Sequence, residues 1–219
     1  RLIAHAAGTV KYTIGEAVYA AGIAVTHAAA ANAVPVAEYT FAAIIFANKR
    51  VFELSDIYRR DRGRTATWAL MSEPIGNYRR TVGLIGASHI GRRVAKLLEM
   101  LDVDVLLHDP YVTAEDPVAA KARLVDLDTL LRKSDTISLH APALPATRHM
   151  IGAAEFARMR DGATFINTGI AGDVGNTGTL NNEGTLASLL NKGNATLADT
   201  SIVTGAIEND STLALGGQA

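Results

Sequence analysis

TVGLIGASHIGRRVAKLLEMLDVDVLLHDPY, residues 81–111, reads as strand, tight turn, helix, strand and acidic tip. Val82, Leu84 and Ile85 make the short apolar run that a strand needs when it is buried on both faces of a parallel sheet. Gly86 interrupts the run. From Ile90 the apolar residues Ile90, Val94, Leu97, Leu98 and Leu101 recur at helical spacing, with Arg92, Arg93 and Lys96 on the other side. Val103, Val105, Leu106 and Leu107 then form a second buried strand that ends on Asp109. This order of elements is half of a nucleotide-binding βαβ unit.

The spacing has a chemical reason. Gly86 lets the chain turn sharply, Gly91 lets the helix pack close to the strand, and the backbone amides of Ser88, His89 and Ile90 at the helix start face a pyrophosphate. Asp109, followed by Pro110, stands where a carboxylate accepts hydrogen bonds from a ribose diol and repels a 2′-phosphate, which favours NAD over NADP. Ser88 departs from the G-x-G-x-x-G pattern, because it occupies the place of the second glycine. The alternative reading at this point is a βαβ unit whose glycines serve only the fold.

Composition bounds the rest of the chain. With 219 residues, 48% of them hydrophobic, it can bury one large domain or one domain plus a fragment. A net charge of −1 and a pI near 6.7 supply no global field for nucleic acid or an anionic membrane. Arg59, Arg60, Arg62 and Arg64 read as a solvated helix end. No cysteine is present, so disulfides, thiolate chemistry and cysteine metal sites are excluded, and a reducing cytoplasm fits. No two histidines have zinc-ligand spacing with a suitable third residue, so no metal is expected. The longest apolar stretch, Phe41 to Ala47, lies between Glu38 and Lys49 and is too short to span a bilayer.

Taken in order, Leu2 to Ala4 reads as a strand, residues 14–21 as a short helix and Gly22 to Thr26 as another strand, the tail of a preceding domain. From Val36 to about Tyr58 a 3.6-residue period persists, with Pro35 suited to the first turn. A helix this long, apolar around much of its girth, is expected to pack on a second subunit. Past Tyr111 the pattern predicts a helix over Val125 to Leu131, a strand over Thr136 to Leu139, a short helix over Glu155 to Met159 and a strand over Ala163 to Ile166. The loops His140-Ala141-Pro142 and Asn167-Thr168-Gly169 fall at the carboxyl ends of strands, where open α/β sheets bind ligands. The fold class expected is α/β, a doubly wound parallel sheet of the Rossmann type.

Four segments in register carry a family resemblance: ANAVPVAEYT (31–40), the fingerprint with HDPY (108–111), SDTISLHAPALPATRHMI (134–151) and DGATFINT (161–168). Together they resemble the D-2-hydroxyacid dehydrogenases related to phosphoglycerate dehydrogenase. The resemblance implies residues 1–33 as the end of a flavodoxin-like substrate domain, 34–200 as an NAD-binding domain and 201–219 as an unassigned tail. It also implies a homodimer built on the long helix and a small 2-hydroxy or 2-keto acid as substrate, held at its carboxylate by the turn of Ala7 and Gly8. His140, Ala141, Pro142, Thr147, Asn167, Thr168, Gly169 and Asp199 would match cofactor-lining positions.

Beyond Asn167-Thr168 the likeness thins. Such enzymes place a catalytic arginine after that pair, then a glutamate and a histidine; here no arginine follows Arg160 and no histidine follows His149. The catalytic residues are therefore unassigned. Leu186 to Gly193 resembles the family's next helix and Leu197-Ala198-Asp199 its next strand. Two functions follow: a dehydrogenase passing hydride between NAD and a small 2-hydroxy or 2-keto acid, or a non-catalytic NAD-binding regulator of the co-repressor kind.

Overall fold

The computed structural model describes the chain apart from residues 11–12, 63, 73–74, 143, 168–169, 177–178, 183–184, 192–193, 198–201, 204–206, 210–212 and 216–219, with side chains described as far as Asn167 except at 61, 64, 66, 70 and 71. Strands β1 (Leu2–His5) and β2 (Ala24–His27) flank helix α1 (Glu16–Ala20) and pair in parallel, Leu2 opposite Ala24, in a sheet of their own. Among the described residues neither strand pairs with the main sheet. The expected boundary at residues 33 and 34, however, falls inside helix α2 (Ala29–Asn48).

Helix α2 buries Ala33, Ala37, Thr40, Ile44 and Asn48, a stripe at helical spacing. It starts earlier than Pro35 suggested, because the alanine-rich run before the proline has high helix propensity and Pro35 itself is exposed within the helix. By length and composition α2 would suffice to cross a bilayer, a property the shorter stretch Phe41 to Ala47 did not reveal; here its buried stripe lies on the sheet.

The long helix expected to run to Tyr58 is two helices. Arg50, at φ 49° and ψ 40°, adopts the left-handed conformation between α2 and α3 (Val51–Asp61), which helix α4 (Arg64–Met71) follows. Polar contacts fix this break. The Arg50 guanidinium donates to both oxygens of Glu53 at 2.7 and 2.8 Å. Buried Asn48 donates to Asn77 at 3.0 Å, accepts from the Thr136 hydroxyl at 2.7 Å, and its carbonyl accepts the Gly76 amide at 2.7 Å. Continuing the helix past Asn48 would turn its carbonyl to an in-helix donor and give up the Gly76 amide, and a buried polar group left unpaired costs roughly 1–3 kcal/mol.

The main sheet begins with β3 (Arg80–Ile85), α5 (His89–Leu98), β4 (Val103–His108), β5 (Arg123–Leu124), α6 (Leu127–Lys133), β6 (Thr136–Leu139), α7 (Ala153–Phe156) and β7 (Thr164–Asn167). All its strands run parallel, in the order β5-β4-β3-β6-β7. Side chains alternate between two cores. Val82, Leu84, Leu107 and Ile166 join α2 and α5 on one face; Ile85, Leu106, Ile137, Leu139 and Phe165 join α6 on the other. The sheet is therefore doubly wound, as the near-continuous apolar strands require. Asp126 caps α6 by accepting the Thr129 amide at 2.7 Å, so this helix begins just after the predicted start.

Beyond β7 the expected helix does not form. Strands β8 (Ile170–Asn176), β9 (Thr179–Asn182), β10 (Thr185–Asn191), β11 (Asn194–Leu197), β12 (Ile202–Val203), β13 (Ile207–Asn209) and β14 (Leu213–Leu215) follow. β9 extends the main sheet from β7, then β11 and β14 add to it, giving eight parallel strands in all. β8, β10, β12 and β13 make a second sheet, in which β10 pairs in parallel with each of the others. The chain thus winds between two sheets as a coil, with Thr179 opposite Asn194 and Ile170 opposite Thr185. Leu186 to Asn191, predicted helical, is strand β10 because pairing on its flanks with β8, β12 and β13 outweighs a modest local helix propensity. The tail expected at 201–219 contributes β12, β13 and β14.

Candidate functional site

The sheet order reverses between β3 and β6. β4 follows β3 on one side and β6 lies on the other, which places the loops after both strands at the same crevice. The Gly86 and His140 loops meet there. Gly86 has φ +96°, and a Cβ on it would lie 2.7 Å from the Ala141 amide nitrogen. A Cβ on Gly91 would overlap the Gly86 carbonyl oxygen and come within 3.5 Å of the His140 Cβ. Both glycines therefore keep open a close approach that any side chain would fill.

Ala87, between them, is held at both of its polar groups. Its amide donates to Asp109 Oδ2 at 2.7 Å and its carbonyl accepts from Arg92 Nε at 2.8 Å. Asp109 also accepts the Tyr111 amide through Oδ1 at 2.9 Å. Each carboxylate oxygen keeps a second lone pair, so a ribose diol can still be received. Ser88 is the N-cap of α5, its hydroxyl accepting the Gly91 amide at 3.4 Å and retaining its own proton to donate. The first amides of a helix have no partner inside it. Those of His89 and Ile90 thus head the crevice, with the His89 side chain exposed and Ile90 partly buried against the α5 core.

His140 is buried at 5% exposure. One ring nitrogen, Nε2, pairs with the Ser138 hydroxyl at 3.0 Å; the other, Nδ1, is the buried side-chain atom among the described residues that has no hydrogen-bond partner. Burial lowers its pKa from the usual 6.5 to about 4, so the ring is neutral. Asn167, fully buried, ends β7 opposite Leu139 and so stands beside this loop. A turn with spare helix-start amides, two obligatory glycines, a diol-accepting carboxylate and a neutral imidazole with a spare nitrogen fits a dinucleotide.

Thr147 donates to the Pro142 carbonyl at 2.5 Å and accepts the Leu144 amide at 3.0 Å, so its hydroxyl closes the turn after β6. Pro110 and Pro142 are exposed. Ala7 and Gly8 follow β1 in the separate sheet, where the Ala7 carbonyl accepts the Ala28 amide at 3.1 Å and Gly8 abuts Asn32. No described bond joins them to the Gly86 turn. Thr168, Gly169 and Asp199 lie outside the described residues.

Arg92 and Asp116 were not legible as site residues. Arg92 Nη1 and Nη2 grip Asp116 Oδ1 and Oδ2 at 2.5 and 2.7 Å, and this pairing holds the Asp116 carboxyl down at about 2. Arg92 appeared only as part of a polar helix face. Its position within the first turn after Gly91 was the one available signal.

Comparison with known proteins agrees with this geometry. The family described as "D-isomer specific 2-hydroxyacid dehydrogenase, NAD binding domain" matches residues 41–204. The chain belongs to that family. It is 31% identical over 153 residues to the D-3-phosphoglycerate dehydrogenase of Archaeoglobus fulgidus, covering 70% of this chain and 28% of that one. To the glyoxylate reductase of Aeropyrum pernix it is 33% identical over 162 residues, covering 73% and 48%. Among solved structures, the apo D-lactate dehydrogenase of Escherichia coli superposes with a TM-score of 0.56 at 28% identity, covering 77% of this chain and 52% of that one. The chain thus spans about half or less of the length of these relatives.

Proposed function

We propose that this chain is the NAD-binding part of an oxidoreductase that moves hydride between NAD and a small 2-hydroxy or 2-keto acid. The observation that carries the reading is the Asp109 carboxylate on the Ala87 amide, at the crest of a turn whose two glycines admit no Cβ. In this reading Gly86, Ser88, His89, Ile90 and Gly91 hold the pyrophosphate and Asp109, with Pro110 beside it, the adenosine ribose. His140, Ala141 and Asn167 line the path beyond. NAD supplies the hydride carrier; the protein orients it and keeps His140 neutral beside it. The names of the relatives, a glyoxylate reductase among them, support a small keto acid as substrate. The regulator reading draws no support from the relatives named above.

A homodimer belongs to the same proposal. Tyr39, Phe46, Phe52, Tyr58 and Trp68 are exposed along α2, α3 and α4, more apolar girth than a solvated face needs. A cytoplasmic site is proposed because a chain without cysteine suits a reducing compartment. Titrating the chain with NADH and following nicotinamide fluorescence tests the core of the reading. Saturable binding that Gly91→Val abolishes is the expected result, and a chain that binds no NADH overturns it.

A further inference from the structure

We propose that Asp116 is a second determinant of dinucleotide choice: by gripping Arg92 it withholds a cation that would otherwise receive a 2′-phosphate at the ribose end of the site. The inference rests on the NAD reading above and adds a residue to it. Asp109 and Arg92 flank the same residue, one on the Ala87 amide and the other on the Ala87 carbonyl. Arg92 is therefore a cation beside the carboxylate that meets the ribose. Guanidinium groups match phosphate oxygens in a two-pronged geometry, so a free arginine at this place would attract the very group that Asp109 repels.

Asp116 prevents this. Its two oxygens take both terminal nitrogens of Arg92 while Nε stays on the Ala87 carbonyl, so all three guanidinium nitrogens are committed. The acid is the fixed member of the pair. Its Oδ1 also accepts the Val118 amide at 3.0 Å, capping the short 3-10 turn Pro117–Ala120, and Val118 is buried in the core. Its side chain is 19% exposed, against 42% for Arg92. The arginine is thus the member with solvent-side room to turn when its partner is lost.

Asp116→Ser tests this in the full chain, because serine keeps a capping oxygen for Val118 but is too short to reach Arg92. NADH and NADPH dissociation constants would be measured by fluorescence at low salt, with a thermal melt to establish folding. The expected result is a shift of the NADPH-to-NADH affinity ratio by about tenfold toward NADPH, the size of one new charge-assisted contact. The gain should fade as salt rises and vanish in Asp116→Ser/Arg92→Gln. Asp116→Asn, which preserves both shape and cap, should shift the ratio in the same direction by less, and it stands in if the serine variant does not fold. A purely structural ion pair would weaken both dinucleotides alike. An unchanged ratio, or a shift that survives loss of Arg92, overturns the proposal. A parent chain that binds neither dinucleotide overturns the site reading itself and this inference with it.

Discussion

Gly86 and Ala141 stand back to back: a Cβ built on Gly86 would lie 2.7 Å from the Ala141 nitrogen and 2.9 Å from its Cα. The contact joins the ends of β3 and β6, where the Ile85 carbonyl also accepts the His140 amide at 2.7 Å. Gly86→Ala adds steric overlap to a positive φ, so it should destabilise the chain by at least about 1–2 kcal/mol and abolish NADH binding. Urea melts and a titration read the two effects separately; full retention of both would mean that the two loops can part freely.

Asp109→Ala should narrow the preference for NADH over NADPH. Holding a 2′-phosphate against a carboxylate leaves like charges unpaired, on the order of a few kcal/mol. Asp109→Asn keeps an acceptor for the Ala87 amide and should narrow the gap with less loss of stability. Equal affinities in the parent chain would remove Asp109 from the ribose site.

His140 gives the stability a pH dependence of defined sign. Its folded pKa, about 4, lies below the ordinary 6.5, so between those values the unfolded chain binds a proton that the native chain does not. Stability should be full above about pH 6.5 and fall as pH drops toward 4, by on the order of 3 kcal/mol in total. Asp116, held at about 2, gives up its contribution only at lower pH, so the two windows are separate. Urea midpoints at several pH values in the parent and in His140→Gln would measure this; an equally steep loss in the variant would assign it elsewhere.

Phe46 and Phe52 meet edge to face at 5.8 Å across the break between α2 and α3, and both are exposed. Phe52→Glu should convert the proposed dimer to monomer by light scattering while leaving the melting temperature of the monomer unit nearly unchanged. A parent chain that is monomeric at micromolar concentration would remove the dimer.

Turnover should be slow in this polypeptide. Loss of a general acid costs roughly 10²–10⁴-fold, and no histidine follows His149 or arginine Arg160 to match the family's pair. Reduction of glyoxylate, followed by NADH absorbance, is expected several orders of magnitude below NADH-saturated rates of a full-length relative, and a comparable rate would show that other residues supply the proton and the cation.

What sequence could reveal depended on how local the cause was. β3, α5 and β4 were legible nearly to their ends, because a buried strand, a glycine turn and an amphipathic helix each write their own period. The glycines, Ser88 and Asp109 followed from the same stretch. The stop at Arg50 was not legible, since it goes with the Asn48 carbonyl receiving the Gly76 amide, far along the chain. Nor was the Arg92 grip on Asp116, which joins a helix to a loop past the next strand. The strand β10 was misread for a related reason: Leu186 to Asn191 has no strong preference of its own, and its neighbours in the sheet decide.

The strands past β7 join the main sheet differently from those before it. In the first part of the sheet, β6 is inserted next to β3 after β4 and β5 have been made, so correct assembly waits on distant segments meeting. From β9 onward, each new strand of the main sheet lies against the one laid down just before it, β9 on β7, β11 on β9 and β14 on β11. Each later strand of the main sheet therefore depends for its pairing on its immediate predecessor there, so stability along this part accrues by nearest neighbours.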